Sequence, residues 1–442
     1  MSSDRLPRTL GLGSATALVI GITVGSGIFR SPAAVAQKVS DPLTFMGLWI
    51  GGGLLALAGA LSLAELAAAF PESGGYYAYL RESWGRRTAF LFGWTQLVVL
   101  RASAIGGIAL ACGEYTLRMV DIDPALHSTA ARLVAAGAIA VAATANVLGA
   151  RIGAAIVNAS SSTKFAALLV LAGAALVAGG AHGGSTAHFS EPATTAGGSL
   201  GLAMVSVLWA YDGFGDVSFA GGEVANPQRT LPIAIVGGTV AVIAAYTLVN
   251  AGYLYVLSLD GVARSPLVAA DTMTALLGSP GAALVSMLIA LSTFGALNAD
   301  FLGSPRVFFA MAEDGLFFRS LARVHPRFRT PHVAILLTAV LSVLLVFSRS
   351  FEALTGTFVI AIWPFYALCV AGLFRLRRQR PDLARPYRVP GYPVVPALFL
   401  IAAGGFLVSA LANDTLATAL TFLVILAGLP VYEAAFVRRG RS

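Results

Sequence analysis

Gly21-Ile22-Thr23-Val24-Gly25-Ser26-Gly27-Ile28-Phe29 is the stretch on which the reading of this chain turns. It sits inside an apolar segment from about Ala15 to Val39, long enough to cross a bilayer at roughly 20 residues per crossing. Gly-Ser-Gly is a poor helix centre, since each glycine costs about 1 kcal/mol against alanine. Broken backbone at membrane depth is tolerated only where protein buries it or where it lines a cavity. An unwound turn here would expose N–H groups at the start of the outer half-helix, where they attract an anion such as a carboxylate. The alternative is that small residues merely let helices pack closely.

The wider composition fits a membrane setting. Of 442 residues, 57% are hydrophobic and 11% charged, with a mean hydropathy of +0.80. Soluble domains carry about 25% charged residues, so the expected fold class is an all-α polytopic membrane protein. The net charge of +8 reflects arginines in short loops, which read as topology rather than as a nucleic-acid surface. Cys112 and Cys369 lie in apolar segments and suggest buried thiols, with neither a disulfide framework nor a metal site. The polar start Met1–Thr9 precedes an apolar stretch too long for a cleaved signal peptide. No histidine pair has ligand spacing, no P-loop is present, and Gly25-Ser26-Gly27 lacks the third glycine of a dinucleotide motif. The expectation is a protein that is not an enzyme and uses no cofactor.

Twelve spans are expected, at about 12–38, 43–69, 87–118, 130–148, 154–180, 198–221, 231–257, 280–311, 331–348, 352–375, 394–412 and 416–437. Residues 258–279 read as short helices capping the outer face. With both termini in the cytoplasm, the cytoplasmic loops and tails hold about 20 of the 29 Lys and Arg, against about five outside. The densest runs are Arg375, Arg377, Arg378, Arg380, Arg385 and Arg388, and Arg319, Arg323, Arg327 and Arg329. Span six carries a second break, Ala210-Tyr211-Asp212-Gly213-Phe214-Gly215, five spans after the first. Matching breaks in halves of opposite orientation are the pattern of an inverted-repeat transporter with its site at the midplane.

Lys164, one of only two lysines, lies well inside span five within Ser160-Ser161-Ser162-Thr163-Lys164-Phe165. A charge there costs at least about 2.5 kcal/mol on insertion scales, which points to function; snorkelling to the interface is the alternative. Ser292 and Thr293 in span eight would accept from Lys164 if spans one, five and eight meet, and Asn298 and Asp300 lie further along. Arg101 is either a carboxylate's partner or a packing residue. Glu65, Arg30 and Arg306 read as structural or gating contacts. Asp212 meets a substrate amine or bonds freed backbone, and Trp209 is a gate over the substrate or a packed aromatic.

These motifs resemble the amino acid–polyamine–organocation superfamily. Gly25-Ser26-Gly27-Ile28-Phe29 is similar to its first-helix motif, and Phe70-Pro71-Glu72-Ser73-Gly74-Gly75-Tyr76-Tyr77-Ala78-Tyr79-Leu80, after Glu65, to the loop following its second helix. Trp209 to Phe214, Phe219 to Glu223 and Asn226-Pro227-Gln228-Arg229-Thr230-Leu231-Pro232-Ile233-Ala234-Ile235 resemble the sixth helix and its exit, most closely in L-type (LAT-like) amino acid transporters. The likeness runs from about 10 to 437.

The resemblance implies the LeuT-like 5+5 inverted repeat, with 12 transmembrane helices of which helices 1 and 6 are discontinuous. Residues 1–11 form a cytoplasmic tail, 12–180 spans one to five, 198–375 spans six to ten and 394–437 two peripheral spans. It assigns substrate to Thr23, Gly25, Ser26, Gly27, Trp209, Ala210 and Asp212. The Ser26 and Gly27 amides with the Ser26 hydroxyl would hold the α-carboxylate, and carbonyls near Thr23, Trp209 and Asp212 the α-ammonium. Lys164 stands where sodium-coupled relatives bind an ion, bridging the first helix to the eighth near Ser292 and Thr293, with Trp209 as gate. Phe214-Gly215 departs from the aromatic–asparagine pair of many L-type members. The loop from Val120 to Thr129 has no cysteine for a disulfide-linked heavy subunit.

The expected function is sodium-independent secondary transport of amino acids, by antiport or proton symport. Neutral L-amino acids are the leading class, with cationic amino acids or polyamines as runners-up and a sensor or channel as rivals. The partners are the substrate and the bilayer, without nucleic acid or metal. The protein would be a monomer or homodimer in the inner or plasma membrane of a prokaryote.

Overall fold

Small polar residues followed by proline or apolar runs start the helices. Asp41 precedes Pro42, and its Oδ1 accepts from the Thr44 N–H at 2.7 Å. That bond holds the Asp41 carboxyl below its usual range near pH ~3.9. Its stabilising effect is therefore present above that range and lost as pH falls through it. Ser199, Ser350 and Asp414 cap the helices that begin at Leu200, Phe351 and Thr415.

The computed structural model describes residue 8 and residues 10–194, 198–318, 320–321 and 323–437. Arg5 of the N-terminal tail, together with Arg319, lies outside the described residues, as does the side chain of Arg306. In chain order the helices are α1 (Leu12–Thr23), α2 (Gly27–Ala36), α3 (Pro42–Ala69), α4 (Tyr76–Trp84), α5 (Arg86–Thr95), α6 (Arg101–Met119), α7 (Ser128–Leu148) and α8 (Ala150–Ala178). They continue with α9 (Leu200–Ala210), α10 (Pro227–Val256), α11 (Leu259–Arg264), α12 (Val268–Glu313), α13 (His332–Ser348), α14 (Phe351–Gln379), α15 (Val394–Asn413), α16 (Thr415–Leu426) and α17 (Gly428–Tyr432). Among the described residues, nine helical stretches are long and apolar enough to cross a membrane, and three shorter apolar helices run over Ala166–His182, Leu200–Ala210 and His332–Ser348. Leu169, Ile401 and Leu423 are more than half exposed on the outer surface, as lipid-facing side chains are. The protein is a multi-pass membrane protein.

One element differs from the sequence expectation. The stretch 258–279 was expected as separate short helices, but only α11 stands alone; the rest forms the start of α12, which bends at Gly278 where φ is 67°. The third span is continuous from α5 to α6 through a π turn at Gln96–Leu100. Wide turns of this kind are frequent at functional sites, and this one ends immediately before Arg101.

Helix pairing sets the interior. α8 packs on α12, α10 on both α1 and α3, and α2 on α9. At the end where α1 begins, Leu10 forms a short parallel bridge with Val224: its N–H donates to the Glu223 carbonyl at 3.0 Å, and Ala225 N–H donates back at 2.8 Å. Nearby, Glu65 of α3 is 1% exposed and accepts from Arg377 Nε at 2.9 Å, Arg377 Nη2 at 2.5 Å and Val389 N–H at 2.8 Å. Arg385 lies 3.5 Å away. Glu65 thus pins α3 to the last turn of α14 and to the loop that follows it. Glu65→Ala would strand buried arginine charge and cost about 3–5 kcal/mol. Thermal melting of the detergent-solubilised protein should show a clear drop.

Candidate functional site

The first break runs from Val24 to Ser26. Gly25 N–H turns back to the Thr23 carbonyl at 2.9 Å, so α1 cannot continue into α2. Because α2 starts afresh at Gly27, the N–H groups of Gly27 and Ile28 have no carbonyl one turn earlier to bond. The Ser26 hydroxyl beside them is buried without a hydrogen-bond partner among the described residues. At the other side of the break, three carbonyls lose their helical donors. Lys164 Nζ donates to the carbonyl of Gly21. Tyr246 Oη donates to that of Thr23 at 2.9 Å, alongside Gly25 N–H. The Ile22 carbonyl accepts no hydrogen bond among the described residues, and Ile22 lines the cavity described next.

The second break follows α9. Asp212 N–H bonds the Trp209 carbonyl at 3.3 Å, Gly213 takes φ 101°, and the chain resumes as a tight helix over Asp216–Glu223. The breaks touch. A Cβ on Gly27 would lie 2.4 Å from the Ala210 Cα and 2.7 Å from its Cβ, so glycine at 27 is required for the two backbones to pass.

Between the breaks lies a cavity of about 200 Å³, small beside the ~300–1,000 Å³ of sites for drug-sized ligands. Thr23, Gly25, Ser26, Gly27, Lys164, Trp209 and Asp212 all line it. Ala210 does not; it packs behind Gly27. Trp209 is 9% exposed and stands edge-on to Phe358, their ring centres 5.1 Å apart. Its indole N–H is buried without a partner among the described residues.

Charge crowds one wall. Arg101, Asp212, Asp216 and Asp300 face the cavity together with Lys164. Arg101 donates from Nη1 to Asp300 Oδ1 at 2.6 Å and from Nε to Gln96 Oε1 at 2.8 Å, which decides its role as a carboxylate's partner. Asp212 Oδ1 accepts from the Tyr366 hydroxyl at 2.7 Å. Lys164 meets the field of Asp300.

No hydrogen bond joins Ser292 or Thr293 to Lys164 among the described residues. Thr293 donates into its own helix, to Ile289 and Ala290 carbonyls at 2.8 and 3.0 Å, and Ser292 is fully buried with no partner among the described residues. They lie eight and seven residues before Asp300, about 12 and about 10.5 Å up the helix at 1.5 Å per residue. Asp300, an acidic residue inside an apolar span, is the carboxylate whose field reaches Lys164.

Beyond the first break, α2 is tied to its neighbours by ion pairs. Arg30 pairs with Glu114 of α6 at 3.0 Å and with Glu352 of α14 at 3.1 Å. The cavity instead extends towards the start of α1, past Leu18, Val157 and Gly303.

Unpaired helix ends around a small charged cavity, inside an apolar helical bundle, make a solute carrier. The chain belongs to the amino acid permease family, which matches residues 10–431, and it is a permease rather than an enzyme. It is 34% identical to the serine/threonine exchanger SteT of Bacillus subtilis (strain 168) over 97% of this chain and 96% of that protein. It is 31% identical to the b(0,+)-type amino acid transporter 1 of Homo sapiens, over 97% of this chain and 88% of that one. It is also 31% identical to the Homo sapiens cystine/glutamate transporter, over 97% and 85%.

Proposed function

We propose that this chain is a sodium-independent secondary carrier of α-amino acids working by alternating access. The observation that carries this reading is the meeting, across one small cavity, of the N–H groups and hydroxyl at Ser26–Ile28 with the Ile22 carbonyl, which accepts no hydrogen bond among the described residues. A zwitterionic head needs those two faces: donors with a helix N-terminus for its carboxylate, acceptors for its ammonium. Thr23 and Gly25 shape the break, Ala210 lets it close against α9, and Trp209 covers the substrate. Lys164 holds the Gly21 carbonyl where a coupling ion would otherwise sit, and its engagement or release gates the cycle.

The architecture that fits is the five-plus-five repeat, with residues 12–180 and 198–375 as its halves, 394–437 peripheral and the first and sixth spans broken. The nine long and three shorter apolar helices support twelve crossings. Both termini would be cytoplasmic, after a tail over residues 1–11. The conformation is then closed outside by Arg30 and reaches towards the cytoplasm. Neutral L-amino acids are the first reading of the side chain, supported by the serine/threonine exchanger among the relatives. Cationic amino acids are the second, favoured by Asp216 on the cavity wall. The protein would act without a disulfide-linked subunit, as a monomer or homodimer.

Uptake of labelled amino acids into proteoliposomes without sodium tests the proposal. Saturable uptake only into vesicles preloaded with unlabelled amino acid would identify an exchanger. Uptake into empty vesicles driven by an inward proton gradient would identify a symporter. No saturable uptake of any amino acid would sink the reading.

A further inference from the structure

From Arg375 in the last turns of α14 to Arg388 in the loop beyond it, the chain has six arginines against one acid, Asp382. Half of these arginines are spent on the fold itself. Arg377 pairs with the buried Glu65 and lies over the Tyr392 ring, 3.7 Å from its centre. Arg385 donates to the carbonyls of Leu376, Arg380, Pro381 and Leu383, and so closes the C-terminal end of α14. Arg380 pairs with Glu82 at 2.8 Å. Arg375, Arg378 and Arg388 are exposed and enter no ion pair among the described residues.

Their surroundings put these three at the edge of the lipid. Val394 and Leu398, 60% and 58% exposed at the start of α15, begin a lipid-facing surface. Tyr392, just before it, packs on Phe374 of α14, with 5.2 Å between ring centres. Arg378 lies one turn beyond Phe374 on the same face of α14, and Arg375 is its neighbour three residues back. Glu65 accepts from Val389 N–H as well as from Arg377, which brings Arg388 back to the last turn of the helix. Trp84 lies under Arg375, 5.0 Å from its guanidinium carbon, as an aromatic does at the membrane boundary.

We propose that this rim binds the headgroup phosphate of an anionic phospholipid, with Arg378 and Arg388 as its principal donors. A phosphate supplies the negative charge these guanidiniums lack, and the fork of an arginine meets two of its oxygens at once. The acyl chains lie along Val394, Leu398 and Ile401, all more than half exposed. A soluble anion would use the arginines and leave that apolar continuation without a role. The site is separate from the central cavity and independent of what the protein carries.

Thermal melting of the detergent-solubilised protein, titrated with phosphatidylglycerol or phosphatidylcholine, tests the site. Phosphatidylglycerol should raise the melting temperature at lipid fractions where phosphatidylcholine does not. Arg378→Gln/Arg388→Gln should raise the half-saturating fraction at least about tenfold, the worth of one hydrogen bond to a charged group. Either single variant should move it in the same direction, and serves if the double variant does not fold. Arg323→Gln/Arg329→Gln, which removes the same charge from the loop after α12, should leave it unchanged. Equal shifts from the two lipids in wild type overturn the proposal whether or not any variant folds. An unmoved midpoint in folded Arg378 and Arg388 variants does the same, as does an equal loss in both double variants, which marks a response to net charge alone. Inorganic phosphate that reproduces the shift would make the rim a soluble-anion site and overturn the assignment to lipid.

Discussion

Gly27→Val should abolish amino-acid exchange. Even the first carbon of the new side chain would fall 2.4 Å from the Cα of Ala210, a backbone atom that no rotamer change can move. The crossing of α2 over α9 must open, and both helix ends that face the substrate move with it. Overpacking of this kind costs about 1–3 kcal/mol in ordinary cores, and the displaced N–H groups lose their aim at the carboxylate. Counterflow in proteoliposomes should fall to background, while Gly25→Ala, whose Cβ would meet nothing within 4 Å, keeps the fold as judged by melting. Normal exchange by Gly27→Val would remove the crossing from any part in transport.

Lys164→Met should lower exchange about ten- to hundredfold, the range for losing a charged hydrogen bond and leaving its acceptor unpaired. Two groups are affected at once. The Gly21 carbonyl loses its donor, so the last turn of α1 is no longer tied to α8. Asp300 keeps Arg101 but loses the second positive charge in its field. Lys164→Arg, which keeps the charge, should recover part of the rate. If exchange also depends on an imposed proton gradient in wild type and not in Lys164→Met, the lysine carries the coupled proton. A methionine variant that exchanges at the wild-type rate would reduce Lys164 to a packing residue.

Much of this protein is legible in order along the chain. Apolar length and sparse charge define a helical membrane protein, and Gly25-Ser26-Gly27 and Gly213 forecast where α1 and α9 stop. Those signals are local, because a glycine weakens a helix wherever it lies and an apolar run needs lipid whatever its neighbours. The partners of the buried polar groups are another matter. Arg101 meets Asp300 across 199 positions of sequence, and Lys164 meets Gly21 across 143. Nothing periodic connects such pairs.

The sequence by itself therefore determined the class of protein and where α1 and α9 stop. The tertiary structure alone decided that Tyr246 and Lys164 take two of the freed carbonyls, that Arg101 pairs with Asp300, and that Lys164 makes no hydrogen bond to Ser292 or Thr293 among the described residues. The reason is physical: helix propensity and transfer to lipid act on each segment separately, whereas a buried charge is satisfied only by whichever group another helix brings within reach.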